Sequence, residues 1–396
     1  MYKKKFKGIF KKWPYNYLKQ FGYPGPEPSF PWGSLKEIQR KGKFVVDAEW
    51  LNEYGDVVGF YLGRQPALLI GDPEMLEQIM VKQFHNFTNH YQVVPLDRIA
   101  KKMILNAKNE EWKYLRTLLS SNFSAKKLKE FRKDLLQLMI DQQNDFTEEQ
   151  PEKNAKNGDM KNDDAKNGDT VNGDATTDDV PIPTKLVKRK LTDEEIIAQS
   201  IIFFMAGYET TATTLSFMAH LLALHQDIQD KVYQEIQSVI GKKTLDYDGV
   251  QKLAYLSQCV SETLRLYPIA NSILRKSKKQ ITIKNWTIPA KIGINIPVYA
   301  LHHNPKYWPD PEKFDPDRFS EEAQKTHTKF AYLPFGAGPR ICIGMRLGLM
   351  EIKFAMAEIL TKYKFVPTEK TENPIILNNQ SLLSAKNGIW LKLEIR

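Results

Sequence analysis

Two short apolar runs, Val57–Leu62 and Ala67–Ile70 within VVGFYLGRQPALLIGDPEML, predict a pair of strands. Asp72 and Pro73 follow directly, and an acidic cap before a first-turn proline predicts a helix start. The pattern changes over Leu191–His225, LTDEEIIAQSIIFFMAGYETTATTLSFMAHLLALH, which is long and apolar on nearly every side. Such a stretch predicts a helix running through the core, capped by Thr192 or Asp193. Gln226–Ile240, Leu253–Leu266 and Leu347–Tyr363 predict further helices, and Ile281–Ile283 and Ile389–Leu393 further short strands. The fold class is mainly α with small β-sheets.

Polar stretches mark the boundaries. In MYKKKFKGIFKKW, Phe6, Ile9, Phe10 and Trp13 fall at helical spacing among six lysines. That pattern suits a helix lying on an anionic membrane, and equally a solvated basic tail. The prolines of YPGPEPSFPWG, Tyr23–Gly33, make a stiff connector. A basic segment, residues 1–22, is thus set apart from one domain, residues 23–396. Inside that domain, AKNGDMKNDD is followed by AKNGDTVNGD, a degenerate repeat too polar to build a core, which predicts a flexible surface loop at 149–185. The longest apolar runs, such as Ile201–Ala206, fall far short of the roughly 20 residues that cross a bilayer, so no transmembrane helix is expected. No cleavable signal is visible.

Composition narrows the function classes. With 42% hydrophobic and 26% charged residues the chain is globular. Its net charge of +10 comes without a basic-aromatic recognition motif, which favours a membrane surface or an acidic protein partner over nucleic acid. Two cysteines, Cys259 and Cys342, make no disulfide framework and point to a reducing, cytosol-facing environment, with a single bridge between them left open.

Cys342 lies in FGAGPRICIG. Gly336, Gly338 and Gly344 let the backbone turn tightly, approach a flat ligand and aim N–H groups at one sulfur. The helix beginning near Gly344 turns its positive end towards the same thiol. A buried, inert cysteine beside a glycine-rich turn is the ordinary alternative. The combination of Phe335, Gly338, Arg340, Cys342 and Gly344 outweighs it.

The loop resembles the haem-ligand signature of the cytochromes P-450, the haem-thiolate monooxygenases. The resemblance implies that Cys342 is the axial iron ligand, whose thiolate favours O–O cleavage. Phe335 would shield the sulfur and Arg340 pair with a haem propionate. ETLR and PDRF match the family's Glu-Arg-Arg cluster, here Glu262, Arg265 and Arg318, in place of an exposed ion pair worth a few tenths of a kcal/mol. AGYETT resembles the oxygen-binding segment of the distal helix, with Ile202, Ala206 and Thr210 on one stripe. By resemblance, Thr210 positions protons and Glu209 feeds them. Trp112 and Arg116, and Arg275, match further propionate contacts. The implied pocket wall is Ile202, Met205, Ala206, Ala270, Ile273 and Leu382.

The resemblance is nearest to the microsomal branch that oxidises drugs, steroids and other lipophiles. It implies haem b, electrons from NADPH through a flavoprotein reductase or a cytochrome b-type donor, a lipophilic small-molecule substrate, and the cytosolic face of the endoplasmic reticulum membrane. Lys113, Lys126, Lys127 and Lys353 are candidates to meet the acidic reductase. FSAKKLKEF runs directly into RKDLLQLMIDQQN, so the roof helices over the substrate are expected to be missing between about residues 131 and 132. The family's N-terminal anchor is also expected to be absent, and His225-Gln226 replaces its usual His-Pro. A non-catalytic or unstable haem-binding remnant is the alternative reading.

Overall fold

A computed structural model describes residues 13–93, 95–120, 123, 189–241, 245–380 and 382–396. Residues 1–12, Lys126, Lys127, the expected junction at 131–132 and the loop at 149–185 lie outside the described residues. The chain divides into two compact units, one formed by residues up to Pro95 together with those from Met205 onward, the other by Leu96–Phe204.

In the first unit, α1 (Lys43–Tyr54) buries Val46, Trp50 and Leu51 against β1 (Val57–Leu62) and β2 (Gln65–Ile70). These strands pair in antiparallel register, Val57 opposite Ile70. Asp72 caps the following short helix, accepting a 2.8 Å bond from the Met75 N–H. Two strands absent from the sequence reading complete the sheet, β3 (Ile273–Lys276) and β6 (Gly293–Ile296), in the order β1-β2-β6-β3. A hairpin of β4 (Ile281–Ile283) and β5 (Trp286–Ile288) stands apart. So does the antiparallel pair of β7 (Tyr363–Pro367) and β8 (Leu391–Ile395).

The second unit contains α2 (Asn109–Ser120) and the start of α3 (Asp193–Leu224). Thr192 and Glu195 form a reciprocal cap: the Glu195 N–H donates to the threonine hydroxyl at 3.3 Å, and the Thr192 N–H to the glutamate at 2.9 Å. Arg189 grips the same carboxylate at 2.7 and 2.5 Å.

The 32 residues of α3 span about 48 Å at 1.5 Å per residue. The first unit's larger core gathers the end of α3, α4 (Gln226–Val239), α5 (Ala254–Leu266) and α7 (Met345–Lys362). A short helix, α6 (Val298–His302), precedes α7 in the chain. At His225-Gln226, α3 stops at Leu224 and α4 begins at Gln226, whose amide donates to Ala223 O at 2.6 Å and Phe365 O at 2.9 Å. No described helix is long and apolar enough to cross a membrane.

Candidate active site

The Cys342 loop is tied at both ends. The Leu333 N–H donates to His302 Nε2 at 2.8 Å, the Gly336 N–H to Leu333 O at 3.1 Å, and the Cys342 N–H back to Phe335 O at 2.9 Å. Gly338 has φ 68°, and a Cβ there would fall 2.0 Å from Met80 O, so only glycine fits. Gly344 differs: its φ is −90° and a Cβ would meet nothing within 4 Å. What Gly344 contributes is an open side, the feature a flat ligand needs.

Cys342 is exposed, two residues before the N-cap of α7, where the helix dipole favours an anion. Cys259 is buried inside α5, and burial pushes its thiol well above the usual range. Neither cysteine is in a disulfide, which closes that alternative.

Behind the loop, Arg265 and Glu262 are fully buried on α5 and joined by two bonds of 2.7 and 2.8 Å. Two further Arg265 donors reach His302 O at 2.8 Å and Lys313 O at 3.2 Å. Glu262 also accepts the Asp315 N–H at 3.0 Å and lies 3.5 Å from Arg318 Nε. Burial pushes the Glu262 carboxyl up, and the Arg265 and Asp315 bonds oppose it. His302, unnoticed in the sequence, connects this network to the loop. Its Nε2 accepts from Leu333, so its Nδ1 carries the hydrogen and donates to Arg265 O at 3.1 Å. The adjacent pair His302-His303 in IPVYALHHNP gives no sequence signal of that role.

Arg275, on β3, is 1% exposed, yet among the described residues its guanidinium bonds only Leu274 O, at 3.0 Å, and its Nε finds no partner. Among the described residues it forms no ion pair, and burial pushes it down to about 10. Arg340 Nε donates to Thr88 O at 3.0 Å. His90, also missed, interacts with both guanidiniums; burial first, then Arg275 and Arg340, hold its imidazole well below the usual value. Such a cluster calls for an anion.

On α3, Thr210 donates to Ala206 O at 2.5 Å, and Glu209, Ala206 and Gly207 are exposed. Thr211 bonds Glu351 of α7, and Gly348 leaves room for that crossing. Of the expected pocket wall, Ala270 bridges Leu382 in antiparallel register, and Ile273 lies beside Gly336. Met205 is 55% exposed and Ile202 half-buried. Trp112 and Arg116 sit one turn apart on α2 in the second unit, Trp112 buried there.

One expectation is corrected. Lys353 is 3% exposed, its ammonium turned to Gln251 at 3.4 Å, so it offers no surface charge to a partner. Lys113 is engaged by Glu110 at 2.8 Å.

An exposed cysteine at a helix N-terminus, an open side at Gly344 and a buried arginine with no counter-ion among the described residues together fit a flat, metal-bearing group with carboxylates. Comparison with known proteins agrees. A model of the family Cytochrome P450 matches residues 23–167 and 174–393. Cytochrome P450 3A14 of Cavia porcellus is 32% identical over 474 residues, covering 96% of this chain and 93% of that protein. Cytochrome P450 3A13 of Mus musculus is 32% identical over 476 residues, covering 98% and 93%. Cytochrome P450 3A11 of the same species is 33% identical over 472, covering 96% and 92%. In the first of these, 96% of 396 residues, about 380, meet 474 aligned positions, so about ninety positions of the relative have no counterpart here. A family match along most of its length, with relatives a third identical, makes this chain a member of the cytochrome P450 family, oxidoreductases of the monooxygenase type that carry haem b on a cysteine thiolate.

Proposed function

We propose that the chain inserts one oxygen atom from O2 into a lipophilic small molecule, with electrons from NADPH delivered by a flavoprotein reductase or a cytochrome b-type donor, at the cytosolic face of the endoplasmic reticulum membrane. The observation that carries this reading is Cys342, exposed at the start of α7 in a loop closed by its own N–H on Phe335 O. Haem b, when bound, supplies the redox chemistry that activates dioxygen.

The chain's own residues then have separable roles. Cys342 ligates as a thiolate, with Phe335 beside it and the α7 N-terminus stabilising the charge. Arg275 and Arg340 bind the propionates, Arg275 gaining the counter-ion that its burial demands. Ala206 and Gly207 leave space on α3. The Thr210 hydroxyl, held on Ala206 O, orients a proton, and the solvent-facing Glu209 carboxyl resupplies it. Ile202, Met205, Ala206, Ala270, Ile273 and Leu382 give a largely apolar wall, which suits lipophilic ligands.

A second reading, a haem-binding remnant with little turnover, is favoured by one observation: Phe204, Met205 and Tyr208 of α3 are 75%, 55% and 73% exposed. An unsealed site admits water and wastes electrons. Purified protein, reductase and NADPH separate the two readings when NADPH consumption, peroxide release and oxygenated product from a steroid or drug-like probe are followed together. Product matching NADPH supports the monooxygenase; peroxide with no product supports the remnant. Thr210→Ala should move the balance towards peroxide without changing haem content.

A further inference from the structure

We propose that β8 is a docking edge for a second copy of this chain: two β8 strands pair antiparallel about a two-fold axis at Leu393 and join two β7–β8 sheets into one of four strands. The inference is independent of the haem chemistry.

The edge follows from the hydrogen bonds. The Arg396 N–H donates to Lys362 O at 3.0 Å, which extends the β7–β8 register of Lys364 opposite Glu394 and Val366 opposite Lys392. By antiparallel alternation, Lys392, Glu394 and Arg396 bond towards β7, and the N–H and C=O groups of Leu391, Leu393 and Ile395 point to the other side. Phe365, opposite Leu393, has the matching phase. Its N–H donates to Gln229 at 2.8 Å, and its carbonyl accepts from Gln226 and Gln229 at 2.9 and 3.0 Å. Side-chain amides thus cover the outer edge of β7 there. On the outer edge of β8, no described residue bonds the backbone of Leu391, Leu393 or Ile395.

An unpaired edge that carries apolar side chains recruits another strand. Leu393 and Ile395 are 53% and 86% exposed, and Tyr363, opposite Ile395, is 39% exposed.

Charge commits the edge to a copy of itself. Two β8 strands have three registers that engage at least two of the outward residues 391, 393 and 395. Centring on Lys392 or on Glu394 sets like charges face to face. Centring on Leu393 engages all three residues. It sets Lys392 against Glu394 of the second copy, twice over, in the closely spaced non-hydrogen-bonded positions, with Leu391 against Ile395 and Leu393 against itself. Within one chain Lys392 and Glu394 already pair at 3.0 Å, yet they stay 63% and 47% exposed, enough to bridge the axis as well. Such self-complementarity is what a two-fold interface requires. Five residues a side place it at the small, transient end of interfaces, so it is read as a concentration-dependent shift.

The test is sedimentation velocity on the purified full chain from sub-micromolar to hundreds of micromolar, with circular dichroism to verify the fold. Lys392→Glu and Glu394→Lys each set like charges across the axis. Leu393→Pro removes one outward N–H and leaves the β7 ladder intact. Wild type should move to dimer as concentration rises, and each of these three variants should associate at least tenfold more weakly. The double variant Lys392→Glu/Glu394→Lys should dimerise as wild type does. An equimolar mixture of Lys392→Glu and Glu394→Lys should recover the dimer too, because each supplies the charge that the other needs. A wild type that stays monomeric throughout, or any assembly as strong in the folded single variants as in wild type, would overturn the proposal.

Discussion

Gly338 and Gly344 stand six residues apart in one loop and do different work. The first is held at φ 68° with Met80 O where its side chain would be; the second faces open space. Gly338→Ala should cost roughly 1–3 kcal/mol from the left-handed backbone alone, before the clash is counted. Gly344→Ala should leave the melting temperature unchanged and weaken haem uptake, and thermal melts beside Soret titrations distinguish the two. Glu262→Ala or Arg265→Ala leaves a buried charge without its partner, at about 3–5 kcal/mol. Both should appear as lost haem incorporation, with turnover per haem unchanged in whatever holoprotein forms. Arg265→Lys should fail as well, because one ammonium cannot serve Glu262, His302 O and Lys313 O in a plane. Cys342 and the Glu262–Arg265 pair were legible because several residue types at fixed spacing carried each of them. His90 and His302 were not: each acts through partners far away in sequence, and a single histidine carries no pattern.

At the scale of elements, periodicity located the long helix to within two residues at its start and one at its end, since its caps are local chemistry. The β3 and β6 strands escaped because they are four residues each and their stability comes from pairing with each other and with β2, remote in the chain. The α1 helix escaped too; its apolar face is completed only by the sheet beneath it. The cap at the start of α3 carries a pH dependence. Burial raises the Glu195 carboxyl, but bonds from Arg189 and Thr192 outweigh that and bring it down to about 2. A depressed acid stabilises the fold above its unfolded value, near 4.5, and that contribution is lost as pH falls towards 2. Wild type should therefore melt above Glu195→Gln at neutral pH, with the gap narrowing as pH drops below about 4.5. A gap that does not change with pH would assign the effect to packing instead.

For the whole molecule, the relatives' unmatched positions and the exposed middle of α3 point the same way. Ile201 is 39% and Phe204 75% exposed, whereas Leu215, further along the same helix, is half-buried against the large core. Ile201→Ser and Met205→Ser should then cost under about 0.5 kcal/mol, as surface substitutions do, and reduce binding of a hydrophobic dye. A larger loss of stability would mean that these side chains are covered in solution. None of this alters the chemistry at Cys342, on which the account depends. The most direct measurement is the difference spectrum of the reduced, carbon monoxide-treated protein, with Cys342→Ala and Cys259→Ala as companions. Wild type and Cys259→Ala should give the red-shifted Soret band of a thiolate-ligated haem, and Cys342→Ala should not. A band that survives loss of Cys342, or disappears with Cys259, would contradict the assignment.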